Sequence, residues 1–240
     1  MTTTAKYKRV LLKLSGEALL GERTFGISPS YVKYLAEEIR GMQAMGIEIG
    51  VVIGGGNWLR GAAVAEQGIE EATAHYMGML AMVINALALQ SQLDSIGVKS
   101  RVQSALRIDE VAEPYIRRRA IHHLEKGLVV IFAAGTGNPF FTSDTAAALR
   151  AAEIDAEVIL MGKNNVDGVY SADPKTDANA RKYAELTYRD LLEKRLAVMD
   201  ATAAALAEER DIPIIVFDLS QKGAMLRAAK GERVGTLVTS

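Results

Sequence analysis

Short apolar runs alternate with longer amphipathic segments along most of this chain. The runs have the length of buried strands, and glycine or small polar residues follow several of them. Strands are predicted at residues 10–14, 47–53, 100–104, 128–134, 158–161, 212–217 and 234–238. Strands that alternate with helices predict an α/β fold, a three-layer sandwich with a mostly parallel central sheet and helices on both faces.

The segments between the strands predict helices. Ser28 and Pro29 mark the start of the first helix, and Gly46 marks its end. Residues 77–96 are apolar over most of their circumference, which indicates a helix that is buried or lies in a subunit interface. Residues 68–76, just before it, are polar and are predicted to be irregular. Further helices are predicted at residues 145–152, 200–210 and 223–229.

Capping residues and prolines refine these boundaries. Asp109 is predicted to cap a helix that starts or kinks at Pro114. Thr187 and Asp190 resemble a capping box, with aspartate in place of the usual glutamate. Pro213 cannot donate to a sheet ladder, so the strand that contains it is not expected to be central throughout.

Composition narrows the class of protein. The chain has 240 residues, of which 49% are apolar, and one large domain covering residues 1–240 is preferred to two small ones. A net charge of −1 favours neither nucleic acid nor an anionic membrane as a partner. The absence of cysteine excludes disulfides and a cysteine nucleophile. Its N-terminal residues lack an apolar signal core, so a cytoplasmic protein is expected.

Glycine-rich segments follow four of the predicted strands. They cover residues 13–16, 54–60, 135–144 and 162–170. Backbone N–H groups of such loops bind anions, and the carboxyl ends of parallel strands meet at one sheet edge. Four such loops together predict a binding rim for a phosphorylated ligand, although each alone could be an ordinary turn. Ser143 is predicted to cap the helix that follows the third loop.

Two cations lie near these loops. Lys13 stands close to the end of the first strand, where it either snorkels at the sheet edge or points at a phosphate. Arg60 follows the three glycines and can add a charge-assisted contact to phosphate. The P-loop pattern is absent. The dinucleotide fingerprint fails at Phe140 and Leu59, which disfavours a nicotinamide-dependent dehydrogenase.

Together the loops resemble the bacterial uridylate kinase family, within the amino acid kinase superfamily. The resemblance is carried by KLSG at residues 13–16, GGGN at residues 54–57 with Arg60, GTGNPFFTSD at residues 135–144, and VDGVY at residues 166–170 with Asp173-Pro174. It runs essentially end to end. GTGNPFF is specific to this family, whereas GGGN and VDGVY occur more widely in the superfamily.

The resemblance implies a kinase that transfers the γ-phosphoryl group of ATP to UMP, using Mg²⁺. It further implies a homohexamer that GTP activates and UTP inhibits. The ATP side is expected at Lys13, Leu14, Ser15, Gly16, Gly56, Arg60, Asn164, Tyr170 and Asp173. The UMP side is expected at Gly55, Thr136, Gly137, Asn138, Pro139, Phe140, Phe141, Thr142 and Ser143. The segment tied to GTP is expected at Gly21, Glu22, Arg23, Thr24, Phe25 and Gly26.

The catalytic residues expected for this chemistry are Lys13, Arg60 and Asp144. Phosphoryl transfer depends on positioning and charge neutralisation more than on a covalent nucleophile. Lys13 and Arg60 could neutralise charge on the transferred group. Asp144 is expected to orient Lys13 or to help hold Mg²⁺, and a similar role is a hypothesis for Asp200. The sequence assigns no other metal ligands.

Two residues depart from the family pattern. His75 stands where an aspartate usually contacts the ribose of UMP, and histidine lacks the paired acceptor oxygens of a carboxylate. Gly162 stands where alanine is usual. Two alternatives therefore stay open: another amino acid kinase that forms an acyl phosphate, or a nucleotide-binding regulator without turnover in which His75 marks lost activity.

Overall fold

A computed structural model describes residues 5–59, 68–174, 176–177, 179–196 and 198–240. The described strands are β1 Arg9–Leu14, β2 Glu48–Ile53, β3 Ser100–Ser104, β4 Glu113–Pro114, β5 Val129–Ala133, β6 Val158–Lys163, β7 Val169–Tyr170, β8 Lys182–Tyr183, β9 Glu185–Thr187, β10 Ile214–Asp218 and β11 Thr236–Thr239. The described helices are α1 Pro29–Gln43, α2 Glu71–Ser95, α3 Arg117–Glu125, α4 Ser143–Glu153, α5 Tyr188–Glu193, α6 Ala201–Glu209 and α7 Ala224–Ala229, and a short 3-10 helix covers Gly16–Leu19.

Nine of the described strands form the central sheet, in the order β4-β3-β5-β2-β1-β6-β10-β11-β9. Among the strand pairs of this sheet that the structure describes, β10–β11 is antiparallel and the others are parallel. Strands β7 and β8 form a separate two-stranded sheet. The predicted mostly parallel α/β fold is confirmed.

Helices cover both faces of this sheet and enclose two apolar cores. In β1, Leu12 and Leu14 enter the core beneath α1, α2 and α7, whereas Leu11 enters the core beneath α3, α4, α5 and α6. This alternation is the period of two expected for a strand buried on both sides. The three-layer arrangement follows directly from it.

The four strands that precede the glycine-rich loops are neighbours. They stand in the order β5, β2, β1 and β6, all parallel, so their carboxyl ends form one continuous edge. Strand β10 lies next to β6 and pairs with it in parallel, with Asp218 in register with Lys163. The four loops therefore leave the same sheet edge, as predicted, and their binding of a phosphorylated ligand stays a prediction.

Two predicted helix boundaries and one predicted strand position were wrong. Helix α2 begins at Glu71, since the side chain of Glu70 accepts from the backbone N–H of Thr73 and caps it. The polar residues before Met77 are thus its first turns. Asp109 does not cap α3, which begins at Arg117, because Glu113–Pro114 pair with β3 as the short strand β4.

The predicted strand position concerns β10. This strand lies between β6 and β11 in the interior of the sheet, which Pro213 argued against. Pro213 stands just before Ile214, the first residue of the strand, and its carbonyl oxygen accepts from the N–H of Ile159. The proline ring therefore removes no donor from within β10.

Helix α2 has the length and apolar content of a membrane-crossing segment. Its buried residues Met79, Val83, Ala86 and Leu89 belong to one of the two apolar cores, and Met82 belongs to the other. Packing of this kind is typical of a core helix in an α/β domain.

Candidate active site

The β5–α4 loop (residues 134–142) turns sharply away from the end of β5. Ala134, Gly135, Gly137 and Phe140 all have positive φ, at 60°, 59°, 81° and 69°. For alanine and phenylalanine this left-handed conformation is unfavourable, so the surrounding structure must hold it. The side chains of Phe140 and Phe141 are 63% and 48% exposed at the rim.

Thr142, and not Ser143, caps helix α4. Its hydroxyl accepts from the backbone N–H groups of Asp144 (3.0 Å) and Thr145 (3.3 Å), whereas Ser143 is the first helical residue. The predicted cap is therefore displaced by one residue. The α4 N-terminus still opens toward the loop, which is the arrangement that attracts anions.

Lys13 lies in the middle of the molecule, not at the edge of the sheet. It is 4% exposed on β1, the fifth of the nine strands, and its ammonium forms an ion pair with Asp144 in the first turn of α4. The snorkelling alternative is wrong. The contact predicted between Asp144 and Lys13 is present, and it places a buried cation beside the β5–α4 loop.

The first two glycine-rich loops pack against each other. A Cβ atom added to Gly16 would lie 2.5 Å from the N of Gly56 and 2.6 Å from the O of Gly54. One added to Gly55 would lie 2.7 Å from the carbonyl oxygen of Gly78 on α2. These glycines are thus required for backbone-to-backbone contact, which the sequence alone did not indicate. Ser15 caps the short 3-10 helix by accepting from the N–H of Ala18.

A buried pair of asparagines joins the GGGN loop to residues 21–26. Asn57 and Asn85 exchange two hydrogen bonds of 3.0 and 2.7 Å. Asn57 also donates to the carbonyl oxygen of Gly26 (2.9 Å), and Asn85 donates to that of Gly54 (2.7 Å). The ring of Phe25 packs edge-on against Trp58, whose indole N–H also donates to Asn85. The two loops are therefore in physical contact.

A cavity of about 560 Å³ opens beside the end of β6. Its wall includes Tyr170 and Asp173, both expected on the ATP side, together with Lys163, Val166 and Lys194. The hydroxyl of Tyr170 donates to Asp167 at 2.6 Å, and this bond raises the pKa of the phenol. Tyr170 therefore stays neutral, with its ring at the cavity wall.

Asn164 links this side of the rim to the first loop. Its amide nitrogen donates to the carbonyl oxygen of Glu17 at 3.1 Å. Its oxygen Oδ1 is buried and has no hydrogen-bond partner among the residues that the structure describes. A buried acceptor left unpaired is costly, so it is suited to a donor group on a ligand.

Two residues of this region were not predicted as site residues from the sequence. Lys163 ends β6 as Lys13 nearly ends β1. Burial, and then the charge of Lys13, lower its pKa, and its ammonium donates to the carbonyl oxygen of Val198 at 2.7 Å. Asp218 is 8% exposed and accepts from the N–H of Asn165 at 3.1 Å. The sequence signal that could have identified Lys163 is a lysine at the end of a second strand. No sequence signal pointed to Asp218.

Asp200 anchors two helices to each other. It caps α6 by accepting from the N–H of Ala203 (2.9 Å), and it accepts from the hydroxyls of Thr142 and Thr145 at the start of α4. Its carboxylate oxygens are thus already engaged. Within the described ranges, no group of three or more histidine or acidic side chains could hold a metal ion.

His75 lies beside the β5–α4 loop. The centroid of its ring is 5.3 Å from that of Phe140, and its Nε2 is 3.8 Å from a carboxylate oxygen of Glu71. The departure from the family pattern is therefore located next to the predicted UMP residues. Arg60 lies outside the described residues, and its role stays a prediction.

The fold and this rim define a phosphate-binding α/β domain, with glycine loops at four neighbouring strand ends and a buried lysine between them. Residues 8–218 match the amino acid kinase family. The chain belongs to that family.

Solved structures of UMP kinases resemble this chain over nearly its whole length. The UMP kinase from Bacillus anthracis is 41% identical with a TM-score of 0.94, over 97% of this chain and 96% of the other. The UMP kinase from Ureaplasma parvum is 37% identical with a TM-score of 0.92, over 98% and 100%. The uridylate kinase from Archaeoglobus fulgidus is 31% identical with a TM-score of 0.75, over 96% and 99%. The resemblance expected from the motifs is confirmed.

Proposed function

We propose that this protein is a UMP kinase, which transfers the γ-phosphoryl group of ATP to UMP and yields UDP and ADP for pyrimidine nucleotide synthesis. The observation that carries the proposal is the ion pair of the buried Lys13 with Asp144, which lies at the rim formed by the β5–α4 loop and the end of β6. A cation at that point can meet phosphates that arrive from both sides. The likeness to three solved UMP kinases supports the same reaction.

The two nucleotides are assigned to opposite halves of the rim. UMP would lie on the β5–α4 loop, against Phe140, Phe141 and Gly55. ATP would lie against the KLSG loop, with its base in the cavity beside Tyr170. The cavity volume of about 560 Å³ is within the usual range for small-molecule sites.

Catalysis in this scheme is charge neutralisation. Lys13 faces the transferred group, and Asp144 fixes the direction of its ammonium. The N-terminus of α4 adds positive potential without a further side-chain charge. Since the phosphate of UMP is already ionised at neutral pH, no general base is needed. Lys163, at the adjacent strand end, supplies a second cation on the ATP side.

Mg²⁺ would enter with the ATP phosphates. That ion keeps several waters and needs only one or two protein carboxylates. Asp144 and Asp200 would therefore be enough to hold it, since a carboxylate that already accepts from a lysine or a hydroxyl still has lone pairs for a further contact. When bound, it would neutralise charge on the phosphates. Lys13, Lys163 and the helix N-terminus act in addition to that charge.

Assembly and regulation are further parts of the proposal. Tyr76, Leu80 and Ile84 follow one another at four-residue spacing on α2 and are 44%, 48% and 47% exposed. We assign this face to contact with a second copy of the chain within a homohexamer. GTP would act through residues 21–26, which reach the GGGN loop through Asn57, and UTP would inhibit. We place this single-domain enzyme in the cytoplasm.

A coupled ADP-release assay with ATP, Mg²⁺ and either UMP, CMP, AMP or carbamate tests the reaction. Turnover with UMP in clear preference to the others is expected. Turnover with carbamate alone would identify an acyl-phosphate kinase, and turnover with no acceptor would identify a regulator. Light scattering at micromolar concentration tests the assembly, and a monomer would contradict it.

A further inference from the structure

Arg150 is a buried arginine of α4 that reaches back to the loop from which that helix starts. Its side chain is among the least exposed polar ones, and its Nη2 donates to the carbonyl oxygen of Gly135 at 3.2 Å. We infer that Arg150 is a positioning residue for the acceptor nucleotide, because it fixes the first turn of the β5–α4 loop. The identity of that nucleotide as UMP rests on the proposed function.

The turn that Arg150 holds is one that the backbone does not favour. Ala134 and Gly135 are consecutive residues with φ near 60°. An alanine in this region brings its Cβ close to the next carbonyl oxygen, so the turn relaxes unless another contact opposes the relaxation. A charge-assisted hydrogen bond from a buried guanidinium is a strong contact of that kind.

The guanidinium of Arg150 is itself fixed on two further sides. Its Nη1 donates to Glu153 at 2.5 Å, and its Cζ lies 3.8 Å from the centroid of the Tyr115 ring. The hydroxyl of Tyr115 donates to the same carboxylate oxygen at 2.7 Å. Burial, and then the bond to Glu153, raise the pKa of that phenol, so it remains a donor. Arg150 can therefore transmit the position of α4 to Gly135.

An ordinary helix ion pair would not account for this arrangement. Arg189 and Glu193 on α5 form such a pair at 2.7 Å, with both side chains well exposed. Exposed pairs add little to stability and reach no loop. Arg150 instead combines a carboxylate, an aromatic face and a loop carbonyl, which a flat guanidinium can do and an ammonium cannot.

Steady-state kinetics of the full-length enzyme test the inference with Arg150→Met, Arg150→Lys and Tyr115→Phe. We expect KM for UMP to rise about tenfold in Arg150→Met, as loss of one charge-assisted hydrogen bond predicts. KM for ATP should change by less than about twofold. Arg150→Lys should recover part of the loss, and Tyr115→Phe should shift KM for UMP in the same direction but less. Arg189→Met, the matched control, should change neither constant.

Hydrogen exchange in the free protein gives a readout that does not need turnover. In Arg150→Lys and Tyr115→Phe, amides of residues 135–142 should exchange faster while those of residues 164–170 stay unchanged. Parallel changes in both KM values, or no change in exchange at residues 135–142, would overturn the inference. If the wild-type enzyme does not phosphorylate UMP, the proposed function fails, and the exchange result still decides the role of Arg150.

Discussion

The β5–α4 loop and the β6–β7 loop (residues 164–168) leave the same sheet edge but are held in different ways. The first has four residues with positive φ. Arg150 of helix α4 and the cap residue Thr142 anchor it to that helix. The second has one, Asn165, whose N–H is held by the carboxylate of Asp218 on the neighbouring strand. One loop is held by the helix that follows it, the other by a strand beside it.

This difference has a consequence for binding. The β5–α4 loop presents backbone groups and two exposed phenylalanines, so its shape determines what it accepts. The β6–β7 loop and β7 form part of the wall of a cavity of about 560 Å³, so side chains there, such as Tyr170, determine what fits. Mutation of a residue that anchors one loop should therefore change KM for one nucleotide and not for the other. Mutation of a group between the loops should affect the reaction of both.

The largest effect is expected from Lys13→Ala, which removes the cation shared by both loops. Its loss leaves Asp144 without its partner and removes one of the positive groups that neutralise the transferred group. The turnover number should fall by at least about a hundredfold, the usual cost of one charge-stabilising group. The coupled ADP-release assay measures it.

Lys8→Ala is the control for Lys13→Ala. Lys8 stands just before the same strand, is 74% exposed, and pairs with Glu48 at 3.7 Å. Its loss should leave the rate within about twofold, since exposed pairs contribute little. A normal rate for Lys13→Ala would remove that residue from the mechanism.

Asp218→Asn should affect the ATP side alone. The substitution keeps the shape of the side chain but replaces a charged acceptor of the Asn165 N–H by a neutral one. KM for ATP should rise about tenfold while KM for UMP stays unchanged. Asp190→Asn, in the exposed capping box of α5, is the control. Equal rises in both constants would contradict the separation of the two loops.

A third prediction concerns pH and the lowered pKa of Lys163. As pH rises through that pKa, Lys163 loses its charge, so KM for ATP should begin to rise below the ordinary lysine pKa of about 10.4. A change of a few-fold is expected as pH rises toward that ordinary value, measured beside KM for UMP, which should not follow it.

Lys163→Arg tests the origin of that pH dependence. Arginine keeps its charge, so the rise in KM for ATP should move to higher pH or vanish, and an unchanged profile would assign it to another group.

The lowered pKa of Lys163 also makes the stability of the fold depend on pH. Because the folded state binds fewer protons than the unfolded state between the two pKa values of Lys163, that residue makes the free energy of unfolding increase with pH in this window.

Much of the fold followed from the sequence because its signals are local. Apolar runs of strand length, each followed by glycines, predicted strands such as β1 and β5 to within one or two residues. Parallel pairing then brought the glycine loops to one edge without any knowledge of strand order. The spelling GTGNPFF added the family. These features depend only on residues that are adjacent in the chain.

The anchors of the site were missed because they depend on strand order and packing. Asp218 meets Asn165 only because β10 lies beside β6, and Arg150 meets Gly135 only through the direction of α4. Thr142 and Ser143 are equally good caps by residue type, so only the backbone distinguishes them. The start of α2 was predicted wrongly because its first turns are polar, and a polar segment is typical of a loop.

The smallest expected effect belongs to His75→Asp, which sharpens the comparison on the UMP side. The ring of His75 lies beside Phe140, so a carboxylate there could offer two acceptor oxygens to the ribose hydroxyls. KM for UMP should fall by a few-fold, the worth of one added hydrogen bond, while KM for ATP stays constant. KM for UMP in His75→Asn, which has one acceptor oxygen, should lie between the values of the wild type and His75→Asp. His122→Asp, on the exposed surface of α3, should leave KM for UMP unchanged. If KM for UMP does not fall in His75→Asp, another group holds the ribose, and the β5–α4 loop binds this nucleotide without help from α2.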